Sequence, residues 1–159
     1  MQKIDPFLWF DGNAEEAATF YVSLFDDSEI TNIARYPEGA PGQAGSVMTV
    51  NFTLAGQPFI ALNGGPSLTF SAATSFFVHC KDQDEVDRLW DRLTDGGEPQ
   101  NCGWITDRFG VTWQIIPDRL MELIGDPDPG RSQRAMQAML QMVKIEIKPI
   151  EDAANAMDD

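Results

Sequence analysis

The segment FLWFDGNAEEAATFYVSLFDD, Phe7 to Asp27, returns later in the chain as FFVHCKDQDEVDRLWDRLTDG, Phe76 to Gly96. Laid over one another without a gap, at an offset of 69 residues, Phe7 meets Phe76, Glu16 meets Glu85 and Ala17 meets Val86. Phe20 meets Leu89, Tyr21 meets Trp90, Leu24 meets Leu93 and Asp26 meets Asp95. Each copy reads as a short apolar strand, a turn and a helix. Ala17, Phe20, Tyr21 and Leu24 share one helical face, as do Val86, Leu89, Trp90 and Leu93. Asn13 and Asp82 stand at the N-cap, each followed three residues on by Glu16 or Glu85, the capping-box spacing. Gly96-Gly97 stops the second helix.

The repeat extends past the helices. SEITNIARY (Ser28–Tyr36) and SVMTVNFTL (Ser46–Leu54) read as strands around the Gly- and Pro-rich loop Pro37–Gly45, a candidate lid. AGQPFIALN (Ala55–Asn63) matches FGVTWQIIP (Phe109–Pro117), with Gly56 over Gly110. In the second of these, Asp107-Arg-Phe-Gly110 supplies turn chemistry, and Gln114 stands out among Trp113, Ile115 and Ile116. The expected architecture is α+β: two tandem βαβββ units, near residues 3–64 and 74–117, forming one domain over 1–117. Residues 118–159 form a tail. In it RSQRAMQAMLQMV is expected as an amphipathic helix with Ala135, Met136, Met139, Leu140 and Val143 on one side. KIEIKPIEDA alternates like an exposed strand.

Composition bounds the partners. The 159 residues carry 25 acidic against 11 basic side chains, a formal charge of −14, which repels phosphate backbones and argues against nucleic acid. No apolar run reaches the roughly 18 to 20 residues of a membrane span, and the opening MQKIDPF does not read as a signal peptide. A cytoplasmic protein with two reduced thiols, Cys80 and Cys102, is expected.

The paired βαβββ pattern resembles the vicinal oxygen chelate superfamily of glyoxalase I, extradiol dioxygenases and bleomycin-resistance proteins. FLWFDGNAEEAATFY, GSVMTVNFTLAGQPFIALNGGP, CGWITDRFGVTWQIIP and DPDPGRSQRAMQAMLQM are similar to its PhnB-like branch, whose members are often called 3-demethylubiquinone 3-methyltransferase-like. The resemblance implies a cupped mixed sheet with helices outside, a C-terminal helical tail and a homodimer. It also implies four metal-ligand positions, which fall here on Pro6, Ile60, Ser75 and Gln114; a shift of one residue would bring in Asp5. Pro6 and Ile60 offer no donor and Ser75 is a poor one, whereas divalent sites need several converging His, Asp or Glu groups. No metal and no cofactor are expected.

Alternation brings Ser75, Phe77 and His79 to one face and Thr49 and Asn51 to one face of their own strand. With Gln114, Phe10, Ile60 and Trp104 they form the candidate ligand-binding cup. The aromatic members read more readily as core, and His79 more readily as a satisfied wall residue. His79 and Cys102 are the candidate catalytic pair, an acid–base group and a nucleophile.

Three functions compete. The first is a metal-free protein that binds a small organic molecule. The second is an enzyme on such a substrate, of metal-dependent lyase or dioxygenase type or based on His79 and Cys102. The third is a methyltransferase, against which the chain lacks a glycine-rich strand-to-helix turn with a downstream acidic residue.

Overall fold

A computed structural model describes residues 2–156. They divide into two compact units, Met1–Phe70 and Ser71–Asp159. In the first, β1 (Phe7–Phe10) leads through a turn at Gly12 into α1 (Ala14–Val22). β2 (Glu29–Arg35), β3 (Val47–Leu54) and β4 (Gln57–Asn63) follow. The sheet order is β1-β4-β3-β2, with β1 parallel to β4 and the other pairs antiparallel.

The second unit repeats this. β5 (Ser75–Cys80) and α2 (Gln83–Thr94) are followed by β6 (Glu98–Pro99), β7 (Trp104–Thr106) and β8 (Thr112–Pro117). Its order, β5-β8-β7-β6, is the same topology with β5 parallel to β8. Gly56 and Gly110 both hold left-handed backbone, φ 81° and 91°, at the turns before β4 and β8. The α+β reading and its tandem units therefore hold.

Helix periodicity explains one face of each sheet. Val50, Phe52, Phe59 and Ala61 are buried with Ala14, Ala17, Ala18 and Tyr21 of α1, and the Tyr21 and Phe52 rings lie 6.4 Å apart. In the second unit Val86, Leu89, Trp90 and Leu93 of α2 are buried together with Ile105, Trp113 and Ile115.

Capping differs between the helices. Asp82 accepts the Glu85 N–H at 2.9 Å as the expected cap, while Glu85 reaches back one residue past the cap to accept the Lys81 N–H at 3.1 Å, a variant of the expected capping box. Asn13 makes no such bond. Its φ of −116° and ψ of 24° depart from the extended backbone an N-cap usually adopts. Asn63, from the end of β4, accepts the Ala14 N–H at 2.9 Å instead, and donates to the Val47 carbonyl at 3.1 Å.

The C-terminal residues build α3 (Asp118–Ile124), α4 (Pro129–Leu140) and α5 (Ile147–Asn155) around Ile116, Leu120, Leu123, Ala135, Ile145, Ile150 and Ala154. Two expectations change here. KIEIKPIEDA is not a strand: Ile150 and Ala154 are inward four residues apart on α5, Ile145 is buried just before it, and Pro149 sits in the first turn of α5, where its missing N–H is harmless. Gln83 completes that helix start, accepting the Ile147 N–H at 2.8 Å and donating to the Ile145 carbonyl at 2.9 Å. On α4 the inward face is Ala135, Ala138, Met139 and, just beyond it, Met142. Met136, Leu140 and Val143 are exposed, so the expected single stripe is rotated.

Candidate functional site

In β8 the burial of Trp113 and Ile115 assigns them to the α2 side, and alternation turns Gln114 to the other face. The register sets Gln114 opposite Phe77 of β5 and opposite Trp104 of β7. The half-buried amide therefore lies between two aromatic neighbours on adjacent strands. Gln114 Nε2 donates to Ser75 Oγ at 2.9 Å. Ser75, Phe77, Gln114 and Trp104 thus share one sheet face.

That face carries polar residues which sequence reasoning passed over. Gln100 Nε2 donates to Thr106 Oγ1 at 2.6 Å, and Thr106 Oγ1 lies 3.4 Å from Thr112 Oγ1. Thr106 pairs with Thr112 in register, two residues from the Trp104–Gln114 pair. The alternation Trp104, Thr106 and Thr112, Gln114 would have found them.

His79 is exposed at the end of β5. Its Nδ1 lies 3.7 Å from Asp118 Oδ1, and its ring centroid is 4.9 Å from that of Phe77. Cys102 has left-handed backbone, φ 61°, and its N–H donates to the Met142 carbonyl at 2.8 Å. Among the described residues no hydrogen bond or ion pair joins His79 to Cys102, so the expected catalytic pair is not assembled by such a contact. Cys80, on the same strand as His79, is fully buried, and burial, with the Glu85 and Asp118 carboxylates, pushes its thiol up to about 12. It is no nucleophile.

The remaining candidates lie in the first sheet. Thr49, Asn51 and Ile60 are half-buried on the face away from α1, with Asn51 paired to Ile60. Phe10 departs from the expectation. It is 3% exposed, shares the buried face with Leu8 and meets Phe70 edge to face at 5.2 Å, so it is core.

The Pro37–Gly45 loop is pinned at its base. Tyr36 N–H donates to the Ser46 carbonyl at 2.9 Å, and Gly45 N–H donates to the Tyr36 carbonyl at 2.8 Å. Any side chain at Gly42 would strike the Tyr36 ring, and Tyr36 Oη donates to the Asn63 carbonyl at 2.5 Å. Under this loop is a cavity of about 450 Å³ reached by Asp11, Glu15 and Ser46, which sequence reasoning did not find. A second cleft, about 580 Å³, runs between Asp87 of α2 and Lys148 of α5.

The metal centre of the resembling superfamily does not fit these residues. Ile60 N–H donates to the Pro6 carbonyl at 3.0 Å as ordinary ladder, and the other two positions, Ser75 and Gln114, bond each other. Among the described residues no three His, Cys, Asp or Glu converge. A serine hydroxyl and one neutral amide make a poor donor set for a divalent ion.

The family model described as 3-demethylubiquinone-9 3-methyltransferase matches residues 2–116. No curated protein matches the chain. Among solved structures, the chain is 40% identical to the PhnB protein from Bacillus cereus, whose description gives 3-demethylubiquinone-9 3-methyltransferase as an unproven assignment; the match covers 73% of this chain and 99% of that one, with a TM-score of 0.68. Protein PA1353 from Pseudomonas aeruginosa is 22% identical over 74% of this chain and 98% of its own, with a TM-score of 0.61, and shares the fold. A glyoxylase/bleomycin resistance protein/dioxygenase domain from Frankia sp. EAN1pec matches at 14% identity over 74% and 92%, with a TM-score of 0.45. With the repeated βαβββ topology and the match over residues 2–116, the chain belongs to the PhnB-like family described as 3-demethylubiquinone-9 3-methyltransferase.

Proposed function

We propose that this protein binds a small organic molecule without a metal, on the sheet face that carries Gln114. One observation carries the reading: where metal-using relatives of the superfamily would place ligands, Gln114 and Ser75 bond each other at 2.9 Å between exposed Phe77 and half-buried Trp104. An amide held half-buried by one hydroxyl keeps hydrogen-bonding capacity for a ligand, and Phe77 and Trp104 supply apolar area beside it. The family's methyltransferase name has no support in these residues, since the turns from β1 to α1 and from β5 to α2 are short and not glycine-rich.

The protein acts as a cytoplasmic homodimer, with neither nucleic acid nor membrane as partner. Met136, Leu140 and Val143, exposed along α4 and just beyond it, are the apolar surface that a second copy covers. Among the described residues no helix is long and apolar enough to cross a membrane. A second reading, acid–base catalysis by His79, is favoured by its Asp118 partner at 3.7 Å.

Native mass spectrometry of freshly purified protein tests the proposal. A dimer mass, no stoichiometric metal and a retained organic molecule are expected. Gln114→Leu leaves the fold intact and weakens retention by roughly 1 to 3 kcal/mol, the worth of a hydrogen bond left unmet at the site. Stoichiometric zinc, iron, nickel or manganese would overturn the metal-free reading.

A further inference from the structure

We infer that the ligand of this face is an uncharged, flat molecule whose edge offers a hydrogen-bond donor beside an acceptor, as a lactam or carboxamide does; the inference rests on the binding role proposed above. It starts from what the polar groups have left to give. Thr106 Oγ1 accepts from Gln100 and shares a contact with Thr112, which is itself 2% exposed, so these groups are largely spoken for. Gln114 and Ser75 have one bond between them.

The remaining capacity does not depend on which way the amide is turned. With Nε2 donating to Ser75 Oγ, the hydroxyl proton is free to donate and Gln114 Oε1 is free to accept. With the amide reversed, the hydroxyl donates to Oε1, leaving an N–H donor on Gln114 and a lone pair on Ser75. Either way the pair presents at least one free donor and one free acceptor, on adjoining side chains. The matching ligand edge is an N–H or O–H next to a carbonyl.

Charge and shape narrow the class. Ser75, Phe77, Trp104, Thr106, Thr112 and Gln114 share this face and are all uncharged, and His79 at its end faces the Asp118 carboxylate, so an anion beside Gln114 would be stripped of water without a dedicated counter-charge. The chain's net charge of −14 opposes an anion further. Phe77 and Trp104 stand one strand to either side of Gln114, roughly 10 Å apart at the backbone, which suits a flat ring laid between aromatic side chains.

Four probes test this with the full-length protein: carbostyril (a fused bicyclic lactam), N-methylcarbostyril, quinoline and naphthoate. Their affinities and the residues they touch are read from amide shifts in ¹⁵N-labelled protein. Carbostyril is expected to shift Phe77, Trp104 and Gln114 and to bind at least about tenfold tighter than the other three. Gln114→Leu, checked for unchanged thermal unfolding, should erase that preference. Equal affinity of all four probes at this face would overturn the class while leaving the binding role standing. Tightest binding by naphthoate would also overturn it, as an anion site. If no probe shifts these residues, the class and the binding role both fall.

Discussion

In the first unit the outer strands β2 and β3 run seven and eight residues; their counterparts in the second, β6 and β7, run two and three. The shorter pair is completed from elsewhere. Cys102 and Gly103 donate their N–H groups to the carbonyls of Met142 and Val143 at 2.8 Å, so the segment after α4 takes up ladder that a longer strand would have used. The same topology is thus held by strand length in one unit and by the C-terminal segment in the other. Apolar periodicity sets the topology, and the polar residues at its seams are where the copies part.

Asp107 is the largest such difference. It is 3% exposed, and its Oδ1 accepts from the Phe109 and Val111 N–H groups while Oδ2 accepts from Trp113 Nε1 at 2.8 Å. The corresponding position of the first unit is Thr53, and there Gly56 N–H donates to the Asp27 carbonyl instead. Asp107→Ala takes that acceptor from three donors and should lower stability by roughly 3 to 6 kcal/mol in urea unfolding. Asp107→Asn keeps Oδ1 and loses the Trp113 bond, for roughly 1 to 3 kcal/mol. A loss below about 1 kcal/mol for the alanine variant would mean the turn stands on Gly110 alone.

The two helix starts sharpen the comparison with smaller effects. Asn63→Ala should cost about 1 to 2 kcal/mol, because it leaves the Ala14 N–H and the Val47 carbonyl without their partner. Asp82→Ala should cost about 1 kcal/mol. Asn13→Ala should move stability by less than about 0.5 kcal/mol, since its side chain makes no cap bond. Equal losses for Asn13 and Asn63 would break the distinction.

How much of this the sequence disclosed follows from the range of the interactions. The repeat, both helix faces, the Gly56 and Gly110 turns and the Asp82 box are local or periodic, and each is legible in the residues. Asn63 capping a helix 49 positions earlier is not, nor is Gln83 completing the start of α5. Pro149 and the alternating KIEIK masked that helix, whose face shows only against Leu120 and Ala135. At the site, the resemblance singled out Gln114 and Ser75, and their side chains bond each other. Phe10 lies in the core rather than the cup, and a four-residue strand gives no second clue to which face is buried.

The cysteines separate by environment. Cys80 is pushed up to about 12 chiefly by burial, so it stays a thiol at working pH, while Cys102 is partly exposed. A maleimide at pH 7 should label Cys102 alone in the native protein and both in urea, as peptide mass spectrometry would read. The raised pKa also sets a sign. The folded state holds its proton where the unfolded state has lost it, so Cys80 contributes stability fully below about pH 9, lost as pH rises toward 12. A Cys80→Ala variant should show a shallower alkaline decline. Native labelling of Cys80 at a rate near that of Cys102 would show that α2 opens readily.

The smallest expected effect belongs to the ion pair tying the C-terminal segment to α2. Lys144 Nζ lies 2.8 Å from Asp87 Oδ1, with the two side chains 30% and 43% exposed. Bonds from Lys144 and then Gln83 hold the Asp87 carboxyl below its ordinary value, and Asp87 holds the Lys144 ammonium above its own. Asp87 therefore contributes stability above its ordinary carboxylate range, lost as pH falls below about 4; Lys144 contributes below about pH 10.5, lost as pH rises past it. Water and salt reach both groups, so the pair should be worth less than about 1 kcal/mol. A double-mutant cycle of Asp87→Asn and Lys144→Met should give that coupling at low salt and most of it should vanish near 1 M salt. Gln83 is the internal control. It bonds Asp87 at 3.0 Å but also holds the Ile145 carbonyl and the Ile147 N–H, so Gln83→Ala should cost more than either charge variant and stay insensitive to salt. If the charge variants prove the costlier, the segment is held by charge rather than by its backbone.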